Sequence, residues 1–181
     1  QIGINHEMLE GERWPGPSFP LQHLMIDSDL FRAVLGRFAS GITVITACDA
    51  NGTPHGMTVS AFSSLSLDPP LILVCVANDA TMAPVLASTE TFAVNVLSAG
   101  QEAISRRFAG KVDDRFAGVG YHDGELGDPV LEDVLAWMQC RVTARHPAGD
   151  HVIVVGQVEH ASAADGKPLL YYRGGYATLE R

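Results

Sequence analysis

"AGDHVIVVG", residues 148–156, is the stretch on which the fold turns. His151 opens a run of valine and isoleucine: Val152, Val154 and Val158 fall on one face of a strand, Ile153 and Val155 on the other. A strand apolar on both faces must be covered on both. In an antiparallel domain the second cover is often another subunit. Just upstream, residues 134–145 alternate. Met138, Cys140, Val142 and Ala144 share one face, and Gln139, Arg141, Thr143 and Arg145 share the other, as in a half-buried strand. Between the two, His146-Pro147-Ala148-Gly149 has Pro and Gly where a type I turn prefers them. The imidazole at the mouth of so apolar a strand either caps a hairpin or faces a ligand.

Outward from that hairpin the same kind of pattern recurs. Leu30, Phe31, Val34, Leu35 and Phe38 follow helical spacing, Asp27, Ser28 or Asp29 can cap the first turn, and Gly41 closes the helix. "ITVITA" (42–47) is a β-branched strand, and Asn51-Gly52 within "DANGTPHG" is a strong hairpin signal. The chain returns through "MTVSAFSSLSL" and, after Asp68-Pro69-Pro70, runs on as "LILVCVA" (71–77), a buried strand. A helix follows Thr81, "FAVNVL" (92–97) is another strand, and Ser98 with Gln101 makes a capping-box pattern for a helix through Phe108. Residues 109–129, rich in Gly and Asp, read as a loop. Many strands, few helices and no βαβ rhythm predict a mainly β protein, a closed or nearly closed antiparallel barrel. Residues 1–26, with Trp14-Pro15-Gly16-Pro17 and Pro20, read as an extended or partly disordered arm, and 27–181 as one domain.

Composition narrows the chemistry. With 181 residues, 46% of them apolar, the chain has enough for one substantial core. A net charge of −9 argues against nucleic acid, whose phosphates call for Lys and Arg. No window approaches the roughly 20 apolar residues of a membrane helix. Cys48, Cys75 and Cys140 form no CxxC pair, so no metal is expected; buried free thiols in a reducing cytoplasm are the economical reading.

Three segments stand out chemically. Thr58, Ser60, Ser63, Ser64 and Ser66 crowd into "MTVSAFSSLS". Small hydroxyls and freed backbone N–H groups suit an uncharged site for phosphate and ribityl oxygens, although a Ser-rich turn between strands gives the same pattern. "NDAT" (78–81) places a hydroxyl at the start of a helix, either an ordinary cap or an anion site. "SRRFAGKVDDRF" (105–116) holds the basic cluster Arg106, Arg107, Lys111 and Arg115, which either faces a phosphate or is neutralised by Asp113 and Asp114. No Walker loop, HExxH or GxSxG is present.

In this order, "FRAVLGRFASGITVITACDANGTPHGMTVSAFSSLSLDPPLILVCVA", "FAVNVL", "RFAG" followed by "DRFAG", "GDH" and "PLLYYRGGYATL" resemble the flavin reductases that serve two-component flavin monooxygenases. The resemblance spans about residues 29–179. It implies an antiparallel Greek-key split β-barrel with a few short helices, a homodimer, and FMN or FAD held near the subunit interface. By the same resemblance, Thr58, Val59, Ser60, Ala61, Phe62 and Ser63 line the isoalloxazine and ribityl chain. Ser66, Ala80, Thr81 and Met82 lie at the ribityl-phosphate end, with Lys111 nearby. Position 80 departs from the family, where Ser, Arg or Lys is frequent. Gly149, Asp150 and His151 match the nicotinamide-nucleotide motif, and Arg173 and Tyr176 lie in a segment often close to it. The implied activity is NAD(P)H-dependent flavin reduction, with NADH or NADPH as co-substrate and hand-over of reduced flavin to a monooxygenase. Two rivals are a split-barrel protein that keeps its flavin as an electron carrier or store, and a barrel whose dimer surface is its function.

Overall fold

The computed structural model describes residues 26–179, so all of the expected arm but Ile26 lies outside the described residues. Helix α1 (Ser28–Leu35) is capped by Asp27, whose carboxylate accepts the Asp29 N–H. It ends at Gly36 and not at Gly41. Gly36 is where the C-terminal hairpin touches down: its carbonyl accepts the Arg173 N–H, and a Cβ there would lie 3.1 Å from the Arg32 carbonyl and 3.5 Å from the Arg173 Cα. Gly41 belongs to the short strand β1 (Ser40–Gly41).

Then come β2 (Thr43–Cys48), β3 (Pro54–Val59), β4 (Phe62–Leu67), β5 (Pro70–Ala77), α2 (Ala83–Ser88), β6 (Thr91–Val96) and α3 (Glu102–Ala109). Beyond α3, β7 (Tyr121–Asp123) and β8 (Pro129–Leu131) make a hairpin; β7 lies inside the stretch expected to be loop and β8 starts at its last residue, and three-residue strands are too short to show a period. The long pair β9 (Ala136–Ala148) and β10 (His151–Ala163) follows, then β11 (Leu170–Tyr172) and β12 (Gly175–Ala177). The turn between β9 and β10 is Gly149-Asp150, with Gly149 at φ +66°, and not His146–Gly149. Two-residue hairpins favour positive φ at their centre, which glycine supplies. Pro147 sits inside β9 past the end of its pairing with β6, where a missing N–H costs little.

Seven strands form one antiparallel sheet in the order β3-β2-β6-β9-β10-β5-β4. The segment expected to return as one strand is broken at Ser60-Ala61, and its halves β3 and β4 are the two ends of the sheet. No β3–β4 ladder joins them, so the sheet curls into a barrel that is split and not closed. Its interior holds Ile45, Phe92, Val94, Cys140, Val74, Val76 and Val154, with Met82 and Leu86 of the α2 region covering one end. A second cluster, Val44, Leu97, Phe108, Phe116, Leu131 and Leu169, lies outside the curl under α3 and the loop after it. Gly56 permits this packing, since a Cβ there would stand 2.6 Å from the Phe108 ring.

The outer face of β2-β6-β9 carries a buried polar row beneath the β7–β8 hairpin. Asn95 donates to the Val44 carbonyl and the Thr46 hydroxyl and accepts the Leu131 N–H at 2.8 Å; Thr46 donates to the Pro129 carbonyl. Asp128, 2% exposed, accepts the Cys48 N–H on Oδ1, but its Oδ2 has no partner among the described residues. Burial pushes the Asp128 carboxyl up, against the opposing pull of Thr91 and the Cys48 N–H. A raised folded-state pKa stabilises the fold below the ordinary carboxylate range, and that contribution is lost as pH rises through the folded value. Asp128→Asn keeps the Oδ1 acceptor and removes the ionisation. Relative to wild type it should gain on the order of 1 kcal/mol at about pH 8 and nothing at about pH 3, read by urea unfolding at both.

Candidate functional site

The opening of the barrel organises the site. Chain direction carries β3 to one lip, Ser60 and Ala61 across the gap, and β4 away along the other. Both linker residues are exposed. The Ala61 carbonyl accepts the Cys75 N–H at 3.0 Å and the Ser60 carbonyl accepts the Phe62 N–H at 3.0 Å, so the crossing is pinned to β5.

Along β4 the side chains alternate. Phe62, opposite Val74, packs against the interior, whereas Ser63, opposite Leu73, is exposed on the outer face, its hydroxyl donating only to the Ser64 carbonyl. The same register carries across β5 to β10: Leu73 faces Val155, and His151 lies four residues along β10 on that same outer side, about 13 Å away. The hydroxyl segment and the Gly149–His151 hairpin thus share one sheet face. The loop after β5 joins them, because the Asn78 N–H donates to the Asp150 carbonyl at 2.9 Å. His151 Nδ1 lies 2.7 Å from Asp150 Oδ1, and this contact holds the Asp150 carboxyl below the usual range.

Other expected site residues are placed differently. Val59 and Met82 are buried in the interior at 5% and 1% exposure, so they can support a ligand only through their backbone. Ala80 is half-buried against that interior, and Ser66 is half-buried on β4. The Thr58 hydroxyl is engaged, donating to the Ser105 carbonyl of α3 at 2.7 Å. Tyr176 meets the same helix, with its hydroxyl 2.9 Å from Ser105 Oγ and Arg106 4.6 Å above its ring. Arg173, at φ +52°, is the turn residue against α1. No hydrogen bond among the described residues links Arg173 or Tyr176 to Gly149–His151. Arg145 is committed to the end of α2, donating to the Leu86 and Thr89 carbonyls.

Helix α2 starts at Ala83 with Met82 as its cap and no side-chain cap bond, so Thr81 is not an N-cap. Its exposed hydroxyl instead accepts from Arg115 Nη1 at 2.9 Å. Arg115 also donates to the Gly56 carbonyl on β3 and the Gly110 carbonyl after α3, next to the exposed Lys111. It thereby spans the opening from one lip to the loop beyond the other. From the sequence Arg115 was only one of four clustered cations; its separation from Thr81 hid the pairing. Exposed hydroxyls, backbone and a cation at one end make a cradle for a mostly neutral ligand with an anionic tail.

Known proteins similar to this chain fall in one family. The profile of the family described as "Flavin reductase like domain" matches residues 35–180. A probable flavin reductase of Rhizobium meliloti (strain 1021) is 44% identical over 154 residues; the match covers 85% of this chain, which spans only 50% of that longer protein. HsaB, the reductase subunit of a flavin-dependent monooxygenase of Mycobacterium tuberculosis, is 42% identical over 158 residues, covering 86% of this chain and 84% of its own. An NADH:FAD oxidoreductase of Streptomyces globisporus, solved in complex with NAD and FAD fragments, superposes with a TM-score of 0.81 at 37% identity, over 85% of this chain and 93% of that one.

The bond from Thr58 to Ser105 makes its hydroxyl a tie between β3 and α3. Thr58→Val should therefore lower stability by about 1 kcal/mol in urea unfolding. An unchanged midpoint would return that hydroxyl to the ligand.

Proposed function

The chain belongs to the flavin reductase like domain family, and on that premise we propose that it is an NAD(P)H-dependent flavin reductase. It passes hydride from the nucleotide to FMN or FAD and releases reduced flavin to a partner monooxygenase. One observation carries the reading: the strand register sets the exposed Ser63 and the Gly149–His151 hairpin on the same outer face, beside the opening.

Bound flavin supplies a hydride acceptor, so the chain's own task is placement. Ser60 and Ser63, with the pinned backbone of Ala61 and Phe62, hold the ring and ribityl chain. Ser66, Ala80 and Thr81 flank the phosphate end with Lys111, while Val59 and Met82 back the site from the interior. His151, fixed by Asp150, takes the nicotinamide nucleotide together with Gly149. Few charged groups touch the ligand, which suits an affinity low enough for release.

The same outer face supports a homodimer. Leu71, Leu73, Cys75 and Ile153 are only half-buried there. The two apolar faces of residues 151–158 call for Ile153 or Val155 to meet the partner; Val155 is already buried within one chain, so Ile153 carries that expectation.

Purified protein mixed with NADH or NADPH and either flavin should consume nucleotide, seen as falling nicotinamide absorbance, only when flavin is present. No consumption with any pairing would sink the reading. His151→Ala should raise KM for the nucleotide about fivefold while kcat and flavin affinity stay near wild type, the pattern of a contact made equally in ground and transition states. A variant that melts normally with both constants unchanged would make His151 a turn residue only.

A further inference from the structure

The cations of the segment after β6 are used unequally. Arg106 is paired with Glu102 at 2.7 Å. Arg107 donates to the backbone carbonyls of Arg115 and Asp114 at 2.7 and 2.9 Å, holding the loop that presents Arg115. Next to Arg115, Phe116 is buried, its N–H bonded to Asp114 Oδ1 and its ring edge-on to Phe108 and Tyr121. The Arg115 backbone is therefore fixed whatever its side chain does.

That side chain makes four bonds, all to uncharged oxygens: Thr81 Oγ1 at 2.9 Å, the Gly56 carbonyl at 3.2 Å, and the Gly110 carbonyl twice, at 3.3 and 2.9 Å. Among the described residues no carboxylate lies within ion-pair distance of it. In a chain of net charge −9, a half-buried guanidinium without a counter-ion is conspicuous. An arginine cannot shed its charge, so the charge acts on whatever enters the opening.

The bond to Thr81 has a directional consequence. A threonine hydroxyl has one proton and two lone pairs. With a lone pair occupied by Arg115, the proton turns away from the guanidinium and is left to donate elsewhere. Accepting from a cation also makes that hydroxyl a stronger donor.

Building on the flavin reading above, we propose that Arg115 is the positioning residue for the anionic end of the flavin. It sets Thr81 as a donor, adds an uncompensated positive charge, and so makes the site favour phosphorylated flavins over riboflavin. A residue acting only as a strut across the opening would affect every flavin alike, and this difference is measurable.

The test is fluorescence titration of FMN and of riboflavin into wild type, Arg115→Met, Arg115→Lys, Thr81→Val and the Arg115→Met/Thr81→Val double variant, each with a melting curve. Arg115→Met should weaken FMN binding about tenfold and leave riboflavin within about twofold. Arg115→Lys should recover part of the loss, because the charge remains. Thr81→Val should cost less, and its cost should shrink in the Arg115→Met background, the signature of coupled residues. Equal losses for both flavins, or unchanged FMN affinity, would overturn the proposal. If Arg115→Met does not fold, the same comparison in Arg115→Lys decides. Wild type that binds riboflavin but gains nothing from the phosphate overturns the role of Arg115 alone, whereas wild type that binds neither flavin overturns the flavin reading itself.

Discussion

Ser60 and Ala61 are all that separates β3 from β4, yet those strands are the two ends of a seven-stranded sheet. Laid flat, seven strands would span about 29 Å, whereas the three Cα–Cα steps from Val59 to Phe62 reach only about 10 Å. The sheet must therefore curl until its ends nearly meet. That curl creates the interior where Ile45, Phe92, Val74 and Val154 pack, and it leaves β3 and β4 with no ladder between them. The opening is thus a consequence of connectivity. It is also the place where backbone and small hydroxyls are available to something other than the protein.

Electrostatics at that opening follow from what surrounds it. The residues around the crossing are Ser60, Ala61, Ser63 and Thr81, none of them charged, and the guanidinium of Arg115 stitches the two sides together with no carboxylate within ion-pair distance among the described residues. Thr58, the first hydroxyl of the same segment, is withdrawn from this set because α3 packs on its face and takes its proton. A ligand that is mostly neutral with an anionic end fits this distribution, in a chain that is otherwise acidic.

The polar residues inside the apolar strands have a separate explanation. Thr46 and Asn95 interrupt the apolar runs of β2 and β6, Gln139 stands on the polar face of β9, and all three are fully buried. They lie under the β7–β8 hairpin, whose backbone they satisfy: Thr46 at Pro129, Asn95 at Leu131, Gln139 at Leu126. Buried backbone groups need such partners, so an irregular excursion is fastened to a regular sheet by a row of side-chain bonds. The row is incomplete, since Gln139 Nε2 and Asp128 Oδ2 remain unpaired among the described residues.

Local pattern alone determined much of this protein. β-branched runs and Asn51-Gly52 marked strands and a hairpin, and the two apolar faces of residues 151–158 called for cover on both sides, because alternation and turn chemistry are properties of neighbouring residues. The motifs also sufficed to name the family. What lay beyond them was any feature set by a partner far along the chain. α1 stops at Gly36 because the turn at Arg173 meets it there, and "MTVSAFSSLSL" splits because its halves serve opposite edges of one sheet. How each hydroxyl is used was likewise decided in three dimensions: Thr58 is spent on Ser105, Thr81 is held by Arg115, and Ser63 stays exposed with only its neighbour's carbonyl as partner. A hydroxyl looks the same in sequence whether or not it is bonded, and only the fold brings the distant donor or acceptor that settles it.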